Sequence, residues 1–340
     1  MRVVVLSLAL TLAGVVSSCL PGRSRSSDEP APPLRAGQPE LFGEGVFTTA
    51  AWDFFVAFTP DQRTAYFCRA NGNFTYFTIL ETYRRAGRWT EPRVASFSGR
   101  WSDADPHISP DGAWIYWISD RPLPTDTGSA RSERRDTYDI WFAERLASGE
   151  WGVPKHLGPP VSSPNATQWS PSVATSGNLY FGTIRSGGRG GNDIWVSRLV
   201  NGVYQTPENL GDSVNTRAGE VEPWIAPDES YLIFSAIGRP DGLGDHDLYI
   251  SYRRNGAWQR ALHLPAPINS PAGDMNPSVS PDGQYLYFSS TRSVFDNIPA
   301  RPYEYRDLWR RLTSPGNGLG DIYRVEIERL GVPAPAAPPP

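Results

Sequence analysis

Short runs in which apolar and polar positions alternate recur along the chain, each bounded by Pro, Gly, Asp or Ser. "SPDGQYLYFSS" at 280–290 is matched by "SPDGAWIYWIS" from Ser109, "APDESYLIFSA" from Ala226, "TPDQRTAYF" from Thr59 and, more worn, "ATSGNLYFGT" from Ala174. A period of two marks a β-strand with one face toward a core, and the Pro and Gly before it set a chain reversal. The residue opening each turn falls at 59, 109, 174, 226 and 280. That spacing, about 50 to 65 residues, is the range in which propeller blades recur.

Each unit has four parts. A short run such as "DMNPSVS" or "EVEPWIA" leads into the turn and the "YLYF" strand; "DIWFAER", "DIWVSRL", "DLYISYR" or "DIYRVEI" follows. After a turn such as "SGEW", "NGVY" or "NGAW" comes a closing stretch, "PKHLGPPVSS", "PENLGDSVNT" or "ALHLPAPINS". Four strands repeated radially remove unpaired sheet edges, which is the propeller solution. The chain closes on "DIYRVEIERL" with no fourth strand after it, whereas "PELFGEGVFT" from Pro39 matches "PENLGDSVNT" from Pro207. The expected fold is therefore all-β: a five-bladed β-propeller of four-stranded antiparallel blades, closed by an N-terminal strand clasp.

These SPDG, "YLYFSS", "DIY" and "GEW..P..LG" elements resemble the WD40-like repeats of TolB-like β-propeller proteins of the bacterial envelope. The resemblance covers roughly residues 39 to 330. TolB itself has six blades and a further N-terminal domain, neither of which is found in this sequence, so the resemblance implies an envelope propeller and no direct role in the Tol system.

Composition fits: 340 residues, 20% charged, 12% aromatic, 32 Gly and 33 Pro, as in a β-rich protein with many turns. The net charge of −4 with interspersed signs carries no basic footprint, so nucleic acid is not an expected partner.

The N-terminus, "MRVVVLSLALTLAGVVSSC", has one Arg, an apolar run from Val3 to Val16 and small residues before Cys19. This is the layout of a secretory signal, too short for a permanent span. "VSSC" resembles the bacterial lipobox, which implies lipidation of Cys19; a plain signal peptide with an incidental Cys is the other reading. The division expected is signal peptide 1–18, lipidated Cys and linker 19–38, propeller 39–330, and a Pro/Ala-rich tail 331–340. The linker is rich in Pro, Ser and Arg, the composition of an unstructured spacer. Cys68, in "AYFC", reads as a buried, inert thiol. Leu20 does not resemble an inner-membrane retention signal, which implies the outer membrane.

Aligned on the first strands, Asp53, Asp103, Gln168, Glu220 and Asp274 share one position around the axis, and Phe55, Asp105, Ser170, Glu222 and Asn276 follow two residues on. A period of two places both sets on one side. If that side lines the channel, Asp53, Asp103, Asp105, Glu220, Glu222 and Asp274 form an acidic mouth for a cation or the basic group of a partner. The favoured reading is ion pairing. Arg121, Arg185 and Arg292 each lie four residues past a second-strand aromatic, with Arg239 one place later, and Asp139, Asp193, Asp247 and Asp321 open the third strands. Recurrence in four blades argues for a structural clasp.

"SGGRGGND", "DGLGDHD" and "GNGLGD" lack the alternating oxygen ligands of a Ca²⁺ loop and read as turns. The histidines at 107, 156, 246 and 263 have no zinc spacing, and no G-x-S-x-G marks a nucleophile. Neither metal nor cofactor is expected.

The longest loops, 122–138 and 293–320, both fall on the face opposite the SPDG turns, where binding on a rigid scaffold resides. Arg, Tyr and Trp in the second suit a protein or glycan contact, or else a solvated insertion. The expected function is a monomeric, non-catalytic envelope lipoprotein binding an unidentified envelope protein or ligand. The alternative is a glycan-active hydrolase resembling the five-bladed arabinanase-like glycosidases, with Asp53, Asp105 and Glu222 as the inner-strand carboxylates. Gln168 and Ser170 in the third blade depart from that pattern.

Overall fold

The computed structural model describes residues 37–126, 135–163 and 166–327. The signal segment, Cys19, almost all of the 19–38 linker, the 331–340 tail and the middle of the 122–138 loop lie outside the described residues.

Five antiparallel sheets form five blades. Their innermost strands are Trp52–Phe58, Asp103–Ile108, Gln168–Val173, Gly219–Ile225 and Asp274–Val279. Each of these strands contacts the next in order, and the fifth contacts the first, so the ring closes. The second strands (Thr64–Ala70, Trp114–Ser119, Leu179–Thr183, Tyr231–Ile237, Tyr285–Ser290) are almost wholly buried. Third strands follow at Phe77–Arg85, Asp139–Glu144, Asp193–Ser197, His246–Arg254 and Asp321–Glu326. The outer strands have two residues each, as at Lys155–His156 and Leu262–His263.

Closure is as the repeat pattern requires. Glu40–Leu41 pairs antiparallel with the third strand of the last blade, Glu40 opposite Arg324 and Leu41 opposite Tyr323. Phe42 extends the pairing through its N–H to the Ile322 carbonyl (2.8 Å) and buries its ring against Phe47 and Tyr287. The first and last segments of the propeller thus share one sheet.

The recurring turn has a side-chain cause. Ser109 accepts the N–H of Trp114 (2.9 Å) and donates to Asp111, which also accepts the Ala113 N–H, while Gly112 takes φ +72°. Ser280, Asp282 and Gly283 repeat this, and Gln62 and Glu229 hold the same left-handed position without glycine. Each turn joins the innermost strand to the second.

One element departs from the sequence reading. Tyr305–Leu312 is an α-helix inside the 293–320 loop. Its apolar positions 305, 308, 309 and 312 follow the helical period, but the run is short and lies in a stretch read as a loop. Among the described residues no helix is long and apolar enough to cross a membrane.

Candidate functional site

The first axial set is built into a clasp repeated around the ring. Arg69 reaches Asp53 (2.6 Å), Arg121 reaches Asp103 (2.6 Å), Arg239 reaches Glu220 (3.0 Å) and Arg292 reaches Asp274 (3.0 Å). Each guanidinium also donates to a carbonyl in the stretch leading to its innermost strand: Val46, Phe97, Val214 and Ile268. Thr49, Ser98, Thr216 and Ser270 donate to the four carboxylates in turn. Arg121, Arg239 and Arg292 further lie over aromatic rings of the second and third strands, which favours a weakly hydrated planar cation.

Asp53, Asp103, Glu220 and Asp274 are fully buried, so they face blade interiors and not open solvent. Burial lifts Asp53, Asp103 and Asp274 above the ordinary carboxylate range, against the pull of Arg69, Arg121 and Arg292. Sequence reasoning missed Arg69, which stands two residues past Phe67, where the other arginines stand four or five past their aromatic.

The third blade breaks the pattern. Arg185 donates to the Val161 carbonyl (2.6 Å) and lies over Phe181 and Trp195 like its counterparts, but Gln168 occupies the acid position. Gln168 Oε1 and Arg185 Nε are both buried without a hydrogen-bond partner. Burial lowers the Arg185 pKa.

The second axial set falls where the strand pairing shifts register, so the period of two no longer sets which side its residues face. Every innermost strand bulges at this point, and Phe55, Asp105, Ser170, Glu222 and Asn276 all adopt φ between +49° and +56°. The sequence held a signal: Pro106, Pro171, Pro223 and Pro277 follow four of the five, and proline within a sheet is confined to edge strands, strand starts and bulges.

At four of the five bulges the N–H is turned toward the preceding blade. Ser170 donates through N–H (3.0 Å) and hydroxyl (2.8 Å) to Asp105, the Asn276 N–H donates to Glu222 (2.8 Å), and the Phe55 N–H donates to the Ser289 hydroxyl (3.2 Å). The Asp105 N–H points to the Cys68 thiol. Asp105 is only 6% exposed, and its pKa rises to about 7, chiefly through burial with the Glu222 charge adding, against the Ser170 bonds. Asn276 Oδ1 is buried without a partner.

Asp139, Asp193, Asp247 and Asp321 organise the connections into the third strands. Asp193 accepts the N–H groups of Arg189 and Gly190, Asp247 those of Leu243 (2.9 Å) and Gly244 (3.2 Å), and Asp321 that of Gly316 (2.6 Å). Asp139 instead binds Arg135. The glycines are steric necessities: a Cβ on Gly190 would lie 2.0 Å from the Ala218 carbonyl and one on Gly244 1.8 Å from that of Ala272. Among the described residues no group of three or more His, Cys, Asp or Glu is placed to hold a metal ion.

The loop-bearing face carries the irregular features. Arg239, Asp212, Asp241 and Arg260 border a hollow of 230 Å³ there, and the 293–320 loop projects its helix with no residue buried.

No family model matches the chain, and none of the curated proteins does. Among solved structures, TolB from Acinetobacter baumannii is 14% identical over 81% of this chain, with a TM-score of 0.44. The chain spans about half of that structure, 54%. An α-L-arabinofuranosidase from Podospora anserina, solved with cellotriose, is 11% identical over 87% of this chain and 94% of its own, with a TM-score of 0.43. An α-L-arabinofuranosidase from Lactobacillus brevis is 12% identical, covering 83% and 92%, with a TM-score of 0.42. The five-bladed assignment rests on this chain's own strand pairings.

Proposed function

We propose that this chain is a non-catalytic, lipid-anchored protein of the cell envelope, whose propeller is a scaffold for a protein or ligand bound at the loop-bearing face. The observation that carries the binding reading is the use made of the inner-strand carboxylates. Asp53, Asp103, Glu220 and Asp274 are each neutralised by an arginine of the same blade. A repeated ion pair of this kind holds a ring together, whereas chemistry breaks symmetry at one open site. The irregular loops supply the asymmetric surface that recognition needs. Anchorage through Cys19 on the outer membrane, facing the periplasm or the surface, follows from the sequence of the N-terminal segment.

The glycan-hydrolase alternative would employ Asp53, Asp105 and Glu222. A hydrolytic pair needs one carboxyl free to protonate a leaving group and another open to substrate or water. Asp53 is buried against Arg69 and Asp105 is bonded to Ser170, an arrangement that weighs against it.

Two experiments test the proposal. Labelled palmitate should enter the wild-type chain in cells and not Cys19→Ser; labelling of neither removes the anchor. Crosslinking in intact cells should recover a partner with the wild type that is lost when residues 296–314 are replaced by a short Gly-Ser turn. An identical set of crosslinks from both proteins, or hydrolysis of arabinose-containing glycans that Asp105→Asn abolishes, would overturn the binding reading.

A further inference from the structure

The helix Tyr305–Leu312 buries none of its residues, although half of them are apolar. Tyr305, Leu308, Trp309 and Leu312 recur at the spacing that gathers them on one face. Tyr305 is 74% exposed, Trp309 56% and Leu312 48%, and Ile298 of the same loop is 97% exposed. The rings of Tyr305 and Trp309 stack with centroids 6.5 Å apart. The opposite face holds Arg306, Asp307, Arg310 and Arg311, three cations to one anion in a chain whose net charge is −4.

The helix is fixed in place by contacts that leave Tyr305, Trp309 and Leu312 exposed and Leu308 half-buried. Arg311 lies over Tyr303 (5.1 Å), which meets Phe295 (6.0 Å), and the Asn317 side chain donates to the carbonyls of Leu312 and Ala50. A scaffold therefore holds out an ordered apolar stripe flanked by arginines. Tyr and Trp favour the boundary between headgroups and acyl chains, and arginine stems lie along apolar surface while their heads reach phosphate.

We propose that this helix is a membrane-interface contact that seats Tyr305, Trp309 and Leu312 among the lipids of an anionic phospholipid surface, with Arg306 and Arg310 on its phosphates. Charge complementarity selects this occupant over a second copy of the chain, which would bring the same arginines against one another. The contact is independent of lipidation at Cys19; where both operate, two weak signals add to a stable one.

The test uses the full chain carrying Cys19→Ser and Thr313→Cys, with an environment-sensitive fluorophore on the thiol introduced at position 313; Cys68 is buried and does not compete for the label. Vesicles of phosphatidylcholine alone, or mixed with an equal part of phosphatidylglycerol, are added. The expected result is a blue shift with the anionic vesicles only, reversed by high salt, and absent from a probe on Val153→Cys beside a turn of the second blade. Each of Arg306→Gln and Arg310→Gln should weaken binding about fivefold. In flotation of unlabelled protein, Trp309→Ala with Leu312→Ala should lose the part of binding that the common N-terminal segment does not supply. No shift with anionic vesicles overturns the proposal, as does an equal shift on neutral ones. A shift that grows with protein concentration without vesicles overturns it in favour of self-association.

Discussion

At Asp105 a nearly unexposed carboxyl feels the Glu222 charge, and its pKa rises to about 7 from 3.8. The folded state therefore binds a proton that the unfolded state has released between about pH 4 and pH 7, and stability falls as pH rises through that window. Asp105→Asn keeps an acceptor for Ser170 and removes this titration. Its stability relative to the parent should climb across the window and level off beyond it, as read from urea melts at several pH values; a gap constant with pH would refute the assignment. His107, held down to about 4 by burial, and Asp321, raised to about 7 by burial, titrate in both proteins and cancel in the comparison. The clasp gives a second expectation. Arg121→Ala leaves Asp103 buried without its cation and should cost about 3–5 kcal/mol. Gln168→Glu, by contrast, supplies Arg185 with the partner its counterparts have and should add about 1 kcal/mol at neutral pH. Equal effects of the two changes on the melting temperature would show that the pairs do not stabilise the blades.

Between elements, the fit is set by how closely one backbone approaches the next. Gly190 and Gly244 lie where the chain entering a third strand touches the chain entering the following blade. Gly190→Ala should destabilise by more than about 3 kcal/mol, since backbone must move. Gly202→Ala, in an open turn at φ +77°, should cost only the roughly 1–2 kcal/mol of a left-handed residue. Denaturant midpoints of the two variants give the comparison, and equal losses would mean that the close approach relaxes cheaply. The five bulges belong to this scale too. Proline within four innermost strands was a readable sign of them, yet alternation alone placed both axial sets on one side. A bulge adds a residue and turns its N–H to the neighbouring blade, an event that strand periodicity cannot register.

For the molecule as a whole, closure is the decisive contact, because a ring fastened by a two-residue strand is only as stable as that strand's anchorage. Phe42→Ala removes the ring packed on Phe47 and Tyr287 and should cost about 3–5 kcal/mol. Amide exchange should then quicken first in Asp321–Glu326; uniform acceleration over all blades would show that the ring opens elsewhere. The number of blades, the turn that joins each innermost strand to its neighbour and the sharing of the last sheet were legible in the repeats, because local hydrogen bonding and a period of two specify these within some ten residues. The recurring arginines and aspartates were legible for the same reason. Packing between distant segments turns Asp53, Asp103, Glu220 and Asp274 into their blades, brings Arg69 in as the fourth clasp, directs bulge N–H groups at the preceding blade, and leaves Tyr305–Leu312 a helix with Tyr305, Trp309 and Leu312 exposed. Those outcomes depend on which surfaces meet across blades some fifty residues apart, and burial against a neighbour is a property no single stretch of chain possesses.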